Sequence, residues 1–124
     1  MAGRKPRNWW LKLADALRGW RSAWTSEVNL RLHTIAAVLA LTLAVALGCE
    51  TWEWVTLFLT LGLVIGMELL NTAIERMFHA LDEEQQQRVS GCLDVAAGAV
   101  LFSATMAVAV GLIVFTPKLW ALVR

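Results

Sequence analysis

Two regimes of hydrophobic and polar positions follow one another along this chain of 124 residues. Over residues 8–26, Trp10, Leu13, Leu17, Trp20 and Trp24 recur at helical steps, while Lys12, Asp15, Arg18, Arg21 and Ser22 take the other side. A basic helix with a Trp-rich apolar stripe suits the headgroup layer of a membrane better than a soluble docking role. Beyond it come three long apolar runs. They predict spans over about residues 32–48, 52–80 and 95–115, with the second including its polar end.

The stretch from Gly66 to Glu75, G-M-E-L-L-N-T-A-I-E, continues an apolar run from Val55 to Met67 without Pro or a turn cluster. It reads as one helix, and at roughly 100° per residue Glu68, Asn71 and Glu75 fall within about a 60° arc. They share one face. The apolar lead-in spans only about 20 Å of a hydrocarbon core about 30 Å thick, so Glu68 is expected below the membrane surface, with Asn71 and Glu75 nearer water. A carboxyl at that depth is costly unless partnered, neutral or beside a polar cavity, which makes it a functional candidate; the bland alternative is a glue carboxyl bonded to a neighbouring helix.

Composition and charge set the class and orientation. The chain is 58% hydrophobic and 17% charged, too apolar for a soluble domain of this size, and it reads as a single integral-membrane domain over residues 1–124. Of the eleven Lys and Arg residues, Arg4, Lys5, Arg7, Lys12, Arg18, Arg21 and Arg31 precede the first span. That bias places the N-terminus in the cytoplasm. Glu50 and Glu53, without a basic neighbour, fit an outer loop, and the segment holding Arg76, Asp82, Glu83, Glu84 and Arg88 returns to the cytoplasm. Pro117 is expected to stop the last helix, leaving Lys118 and Arg124 outside. The seven Trp residues map to expected interfaces. The first apolar run lacks a signal-peptide pattern and is read as a retained span. Cys49 and Cys92 fall on opposite sides of the bilayer and cannot pair within one chain.

Thr25 to His33 is polar directly before the first span. Glu27 and Arg31 are spaced as a helical ion pair, and Asn29 and His33 repeat that spacing. Small residues recur at four-residue steps in every span: Ala36, Ala40, Ala44 and Gly48; Gly62 and Gly66; Ala99, Ser103, Ala107 and Gly111. Such seams allow close helix approach in lipid, within a chain and between chains. Three helices offer little shelter for Glu68, so a homo-oligomer is expected.

No phosphate-binding loop, H-E-x-x-H helix, Cys-x-x-Cys pair or nucleophile elbow occurs. What remains is a group of carboxylates near one membrane face: Glu27, Glu68, Glu75 and Asp94, with Asn71 among them. Hard oxygen ligands at the water boundary suit Mg²⁺, which takes one or two carboxylates and completes its shell with phosphate oxygens and water. A deeper carboxylate can accept the proton of a lipid hydroxyl. Together these roles describe phosphoryl transfer from a nucleotide to a membrane alcohol.

Five motifs in order carry a resemblance: A-x-x-G at Ala16 to Gly19, S-E-x-N-x-R-x-H at Ser26 to His33, E-W at Glu53 and Trp54, E-x-x-N-T-A-I-E at Glu68 to Glu75, and D-x-A-A-G-A-V at Asp94 to Val100. Over nearly the whole chain this pattern resembles the prokaryotic diacylglycerol kinase and undecaprenol kinase family. His33, E-W and N-T-A-I-E look closer to the undecaprenol branch. The resemblance implies an all-α membrane protein, with an amphipathic surface helix and three transmembrane helices, assembled as a homotrimer with sites shared between subunits. It further implies ATP as donor and Mg²⁺ held by Glu27 and Glu75. Glu68 would be the general base, and Asn71 and Asp94 would join Glu27 and Glu75 around the nucleotide. Trp24 and Arg31 would lie with Glu68 beside the lipid alcohol. The implied location is the bacterial inner membrane, with the C-terminus outside.

Two positions depart from the family pattern. Leu93 stands where a Lys usually precedes the Asp, and His79 where an Asp usually follows the last Glu by four residues. A cation near the transferring phosphates is therefore missing, unless Arg76 or Arg88 replaces it. The alternatives to a lipid kinase are a catalytically impaired relative that still binds lipid or nucleotide, and a small proton-coupled transporter carrying protons on Glu68.

Overall fold

The computed structural model describes residues 8–124, so Arg4, Lys5 and Arg7, on which the charge bias partly rests, lie outside the described residues. Among the described residues five helices follow one another: α1 Trp9–Ser26, α2 Val28–Ala46, α3 Thr51–His79, α4 Glu83–Arg88 and α5 Cys92–Val123. Three of them, α2, α3 and α5, are long and apolar enough to cross a membrane, at 19, 29 and 32 residues. At 1.5 Å per residue they reach about 28, 43 and 48 Å, so α3 and α5 exceed a core of about 30 Å and carry polar ends. Val38, Leu39, Phe58, Leu59, Leu101, Phe102 and Ile113 stand exposed along these helices, a pattern suited to lipid rather than water. The chain is a membrane protein.

Helix α3 is the central element. It packs along α5 over much of its length and along α2 more sparingly, and α1 rests against both α2 and α3. A single residue separates α1 from α2. Glu27 is extended there, at φ −105° and ψ 112°, and its N–H donates to the Ala23 carbonyl at 2.9 Å. The expected Glu27–Arg31 ion pair does not form among the described residues. Arg31 instead donates to the carbonyls of Trp24 and Thr25, at 3.2 Å each. Carbonyls at a helix C-terminus lack intrahelical partners, so this guanidinium completes the end of α1 and holds the α1–α2 corner.

The turn into α3 is equally local in origin. Gly48 adopts φ +62°, the Gly48 N–H donates to Val45 and the Cys49 N–H to Ala44, which together close α2 in a glycine-dependent C-terminal motif. At the start of α3, Glu53 Oε2 accepts the backbone N–H of Glu50 at 2.7 Å. The same oxygen pairs with Lys118 Nζ at 3.0 Å.

That contact overturns the expectation that Pro117 ends the last helix. Helix α5 continues through Pro117 to Val123. Proline removes one backbone donor and crowds the preceding turn, but packing on both sides outweighs this. Before Pro117, Val114 is 1% exposed and packs with Ala44 and Leu57, joined by Trp54 and Phe115. After it, Lys118 reaches Glu53, which is 6% exposed. Lys118→Met is expected to lower the thermal unfolding midpoint in detergent by leaving the Glu53 carboxyl unpaired, and adding Glu53→Gln should recover most of the loss. An unchanged midpoint in the single variant would show that the pair contributes nothing. Burial, followed by the charge of Glu53, also holds the nearby Cys49 thiol above its usual range. Cys49 and Cys92 are both free.

Between α3 and α5 the sequence pattern suggests only a loop, yet α4 forms. Asp82 Oδ1 accepts from the Gln85 N–H at 2.9 Å, and Gln85 Oε1 accepts from the Asp82 N–H at 3.2 Å. This reciprocal cap nucleates the turn. The small-residue seams are used unevenly within one chain. Ala44 and Ser103 are buried, whereas Ala36, Gly62 and Ala99 face outward, and a Cβ added at Gly62 or Gly66 would meet nothing within 4 Å.

Candidate active site

Helix α3 places Glu68, Asn71 and Glu75 on one face, as their spacing requires. That face looks into a cleft of about 330 Å³, walled by Asn29 and His33 of α2 and by Ala97, Val100, Leu101 and Ala104 of α5. One side of the cleft is polar and the other apolar. Glu68 is 3% exposed and Asn71 7% exposed. Glu68 makes no hydrogen bond among the described residues, and His33, Glu75 and Glu27 are the titratable groups that interact with it electrostatically. Its carboxyl is thus available to a ligand in the cleft. Asn71 Nδ2 donates to Glu75 Oε1 at 2.9 Å, fixing that carboxylate, while Asn71 Oδ1 is buried without a partner. A buried acceptor left unpaired costs about 1–3 kcal/mol, which makes the pair Asn71 and Glu75 a natural place for a bound donor or cation to complete.

The other sequence candidates lie at varying distances from this cleft. Glu27 sits at the α1–α2 corner, close enough to interact electrostatically with Glu68 but outside the cleft wall, and its Oε1 accepts from Ser26 Oγ at 2.8 Å. Arg31 is occupied with the end of α1, and Trp24 is an exposed side chain on α1. Asp94 is exposed in the first turn of α5 and does not line the cleft. Neither arginine offered as a substitute cation lines the cleft. Arg76 donates to Ser22 and Ser26, and Arg88 pairs with Glu84 on α4. His79 packs edge-on against Phe78, with ring centres 5.6 Å apart, at the end of α3.

Two wall residues, Asn29 and His33, had no assigned role in the sequence. Their four-residue spacing on a polar face entering the membrane was the available signal, because it aims both side chains along one side of α2. Among the described residues no group of three or more His, Cys, Asp or Glu side chains is gathered as a metal site. Two carboxylates, Glu27 and Glu75, remain as possible oxygen donors, the number Mg²⁺ uses when phosphates and water complete its shell.

Comparison with known proteins decides the family. The family model for prokaryotic diacylglycerol kinase matches residues 14–115. The chain belongs to the prokaryotic diacylglycerol kinase family. It is 35% identical to the undecaprenol kinase of Bacillus subtilis over 100 residues, covering 81% of this chain and 80% of that protein. It is 34% identical to a diacylglycerol kinase of Synechocystis over 124 residues, covering 94% of this chain and 71% of that one. With the Escherichia coli K12 diacylglycerol kinase the identity is 31% over 91 residues, covering 73% and 75%. No solved structure matches significantly. Membership in this kinase family and the names of these relatives indicate a lipid kinase, and the matched region contains the entire cleft.

Proposed function

We propose that this member of the family transfers the γ-phosphate of ATP to the hydroxyl of a membrane lipid alcohol, undecaprenol or diacylglycerol, at the cytoplasmic leaflet. The observation that carries the proposal is the buried, unbonded Glu68 carboxyl in a cleft that is apolar on its α5 side and carries Asn71 and Glu75 toward the end of α3. Such a cleft can take an apolar chain from the bilayer and a phosphate from water at the same time.

In this proposal the lipid hydroxyl enters beside Glu68, which accepts its proton as the oxygen attacks the γ-phosphorus. A new O–P bond forms, the bond to the bridging oxygen breaks, and ADP leaves. Asn71 orients Glu75 through the 2.9 Å hydrogen bond. Glu27 and Glu75 would hold Mg²⁺, which neutralises charge on the phosphates when bound. Asp94, at the start of α5, would assist on the nucleotide side, and Trp24 and Arg31 would border the lipid on the surface side. The single domain would lie in a bacterial inner membrane with α1 on the cytoplasmic surface as an amphipathic helix and the C-terminus outside. A homotrimer would complete the site, and the unfilled space at Gly62 and Gly66 supports close approach of another helix there. The test is ATP turnover by the purified protein in bilayers with a panel of lipid alcohols. Undecaprenyl phosphate or phosphatidic acid is the expected product, and formation of neither would remove the proposal.

A weakened kinase is the second possibility, favoured by one observation: Leu93 supplies no cation, and neither Arg76 nor Arg88 lines the cleft. Leu93→Lys would then place a charge at the entrance of α5 and raise kcat by about tenfold or more through transition-state charge stabilisation. The check is kcat at saturating ATP for the variant beside the parent. An unchanged kcat would mean that the site is complete without it.

A further inference from the structure

A second cavity, of about 450 Å³, lies between α1 and α3, and it is not part of the cleft. Its α3 wall carries Leu69, Thr72 and Arg76, which at about 100° per residue point roughly a third of a turn away from Glu68, Asn71 and Glu75. Its α1 wall is Gly19, Trp20 and Ala23 with Ala16. Thr72 is 3% exposed, and its Oγ1 is buried without a hydrogen-bond partner. This is unusual in this chain. Thr34, Thr42, Thr56, Thr60 and Thr105 each donate to the carbonyl four residues back. One turn further along the same wall, Arg76 is held by Ser22 and Ser26, at 3.0 and 2.8 Å. Those two bonds use two of the five guanidinium N–H groups, so three remain for a ligand.

We infer that this cavity binds one anionic phospholipid. Its phosphate would sit on Arg76, the Thr72 hydroxyl would donate to an ester or phosphate oxygen, and one acyl chain would occupy the space beside Trp20 and Leu69. A cation fixed at the end of a spanning helix, an unmet hydroxyl one turn deeper and an apolar interior match the headgroup, the backbone and the chain of such a lipid in that order. Inorganic phosphate shares the headgroup chemistry but has nothing to fill the interior. The site stands independently of the kinase proposal, and loss of either leaves the other in place.

The experiment is native mass spectrometry of the full chain, released from detergent after incubation with phosphatidylglycerol, with phosphatidylcholine, or with inorganic phosphate competing against phosphatidylglycerol. The parent should retain phosphatidylglycerol in preference to phosphatidylcholine, and phosphate at equal concentration should not displace it. Arg76→Gln should weaken retention at least tenfold, and Arg76→Lys should recover part of it. Gly19→Leu provides a second route, since a Cβ there meets nothing within 4 Å and the added side chain would occupy the cavity while Arg76 keeps its serine partners. Gly19→Leu should abolish retention, and Thr72→Val should reduce it severalfold. Should Arg76→Gln fail to fold, Gly19→Leu and Thr72→Val decide. Equal retention by the parent and Gly19→Leu would overturn the assignment, as would equal retention of both lipids by the parent. Displacement by phosphate would overturn the lipid in favour of a free anion.

Discussion

Glu68→Gln is expected to lower lipid-phosphate formation by about two to four orders of magnitude, the usual contribution of a positioned general base. Glutamine preserves the size and polarity of the side chain but cannot accept the hydroxyl proton. Because Glu68 is 3% exposed and makes no hydrogen bond among the described residues, the neutral amide breaks no existing bond. Its burial costs less than that of a charged carboxylate, so assembly should survive. The measurements are kcat with saturating ATP and the elution position of the detergent complex. A variant that assembles normally and keeps the full rate would show that another group takes the proton. His33, in the same wall, would be examined first.

Glu75→Gln should reduce turnover by about two to three orders of magnitude, comparable to losing one preorganised charge-stabilising group. The mechanism differs from that of Glu68. Glu75 receives the Asn71 amide at 2.9 Å, so its carboxylate is oriented before any ligand arrives. Replacing one oxygen by an amide nitrogen removes a hard anionic donor and turns N–H groups toward the phosphates and Asn71. Excess Mg²⁺ should restore part of the rate, and the half-saturating Mg²⁺ concentration should rise. If that concentration stays at the parent value while the rate falls, Glu75 has a role other than holding the ion.

The helical architecture was legible because membrane spans declare themselves by length and hydropathy, and the shared face of Glu68, Asn71 and Glu75 followed from helical spacing alone. Both properties are local. The structure departs from the local pattern where distant contacts outweigh local propensity. Pro117 reads as a stop, but Val114 on one side and Lys118 on the other are anchored to α2 and α3, so the helix continues. Arg31 reads as a partner for Glu27, yet the unsatisfied carbonyls at the end of α1 compete for the same guanidinium more effectively. The short helix α4 carries a D-x-x-Q cap, but its six polar residues show no apolar period that would mark it as a helix. In the site, periodicity located the α3 residues but could not say which side chains of α2 and α5 would face them. That information resides in the packing of α3 against its neighbours, which brings His33 and Asn29 to one wall and leaves Asp94 outside.

The most direct measurement of the central claim is the fate of the transferred phosphate. Purified protein in bilayers would be given ATP labelled at the γ-phosphate and a lipid alcohol, with ADP, labelled lipid and labelled inorganic phosphate counted together. Transfer through the Glu68 cleft predicts one labelled lipid phosphate for each ADP formed and almost no labelled inorganic phosphate. Label appearing in inorganic phosphate alone, with undecaprenol and with diacylglycerol alike, would mean that water rather than a lipid hydroxyl is the acceptor and would contradict the account.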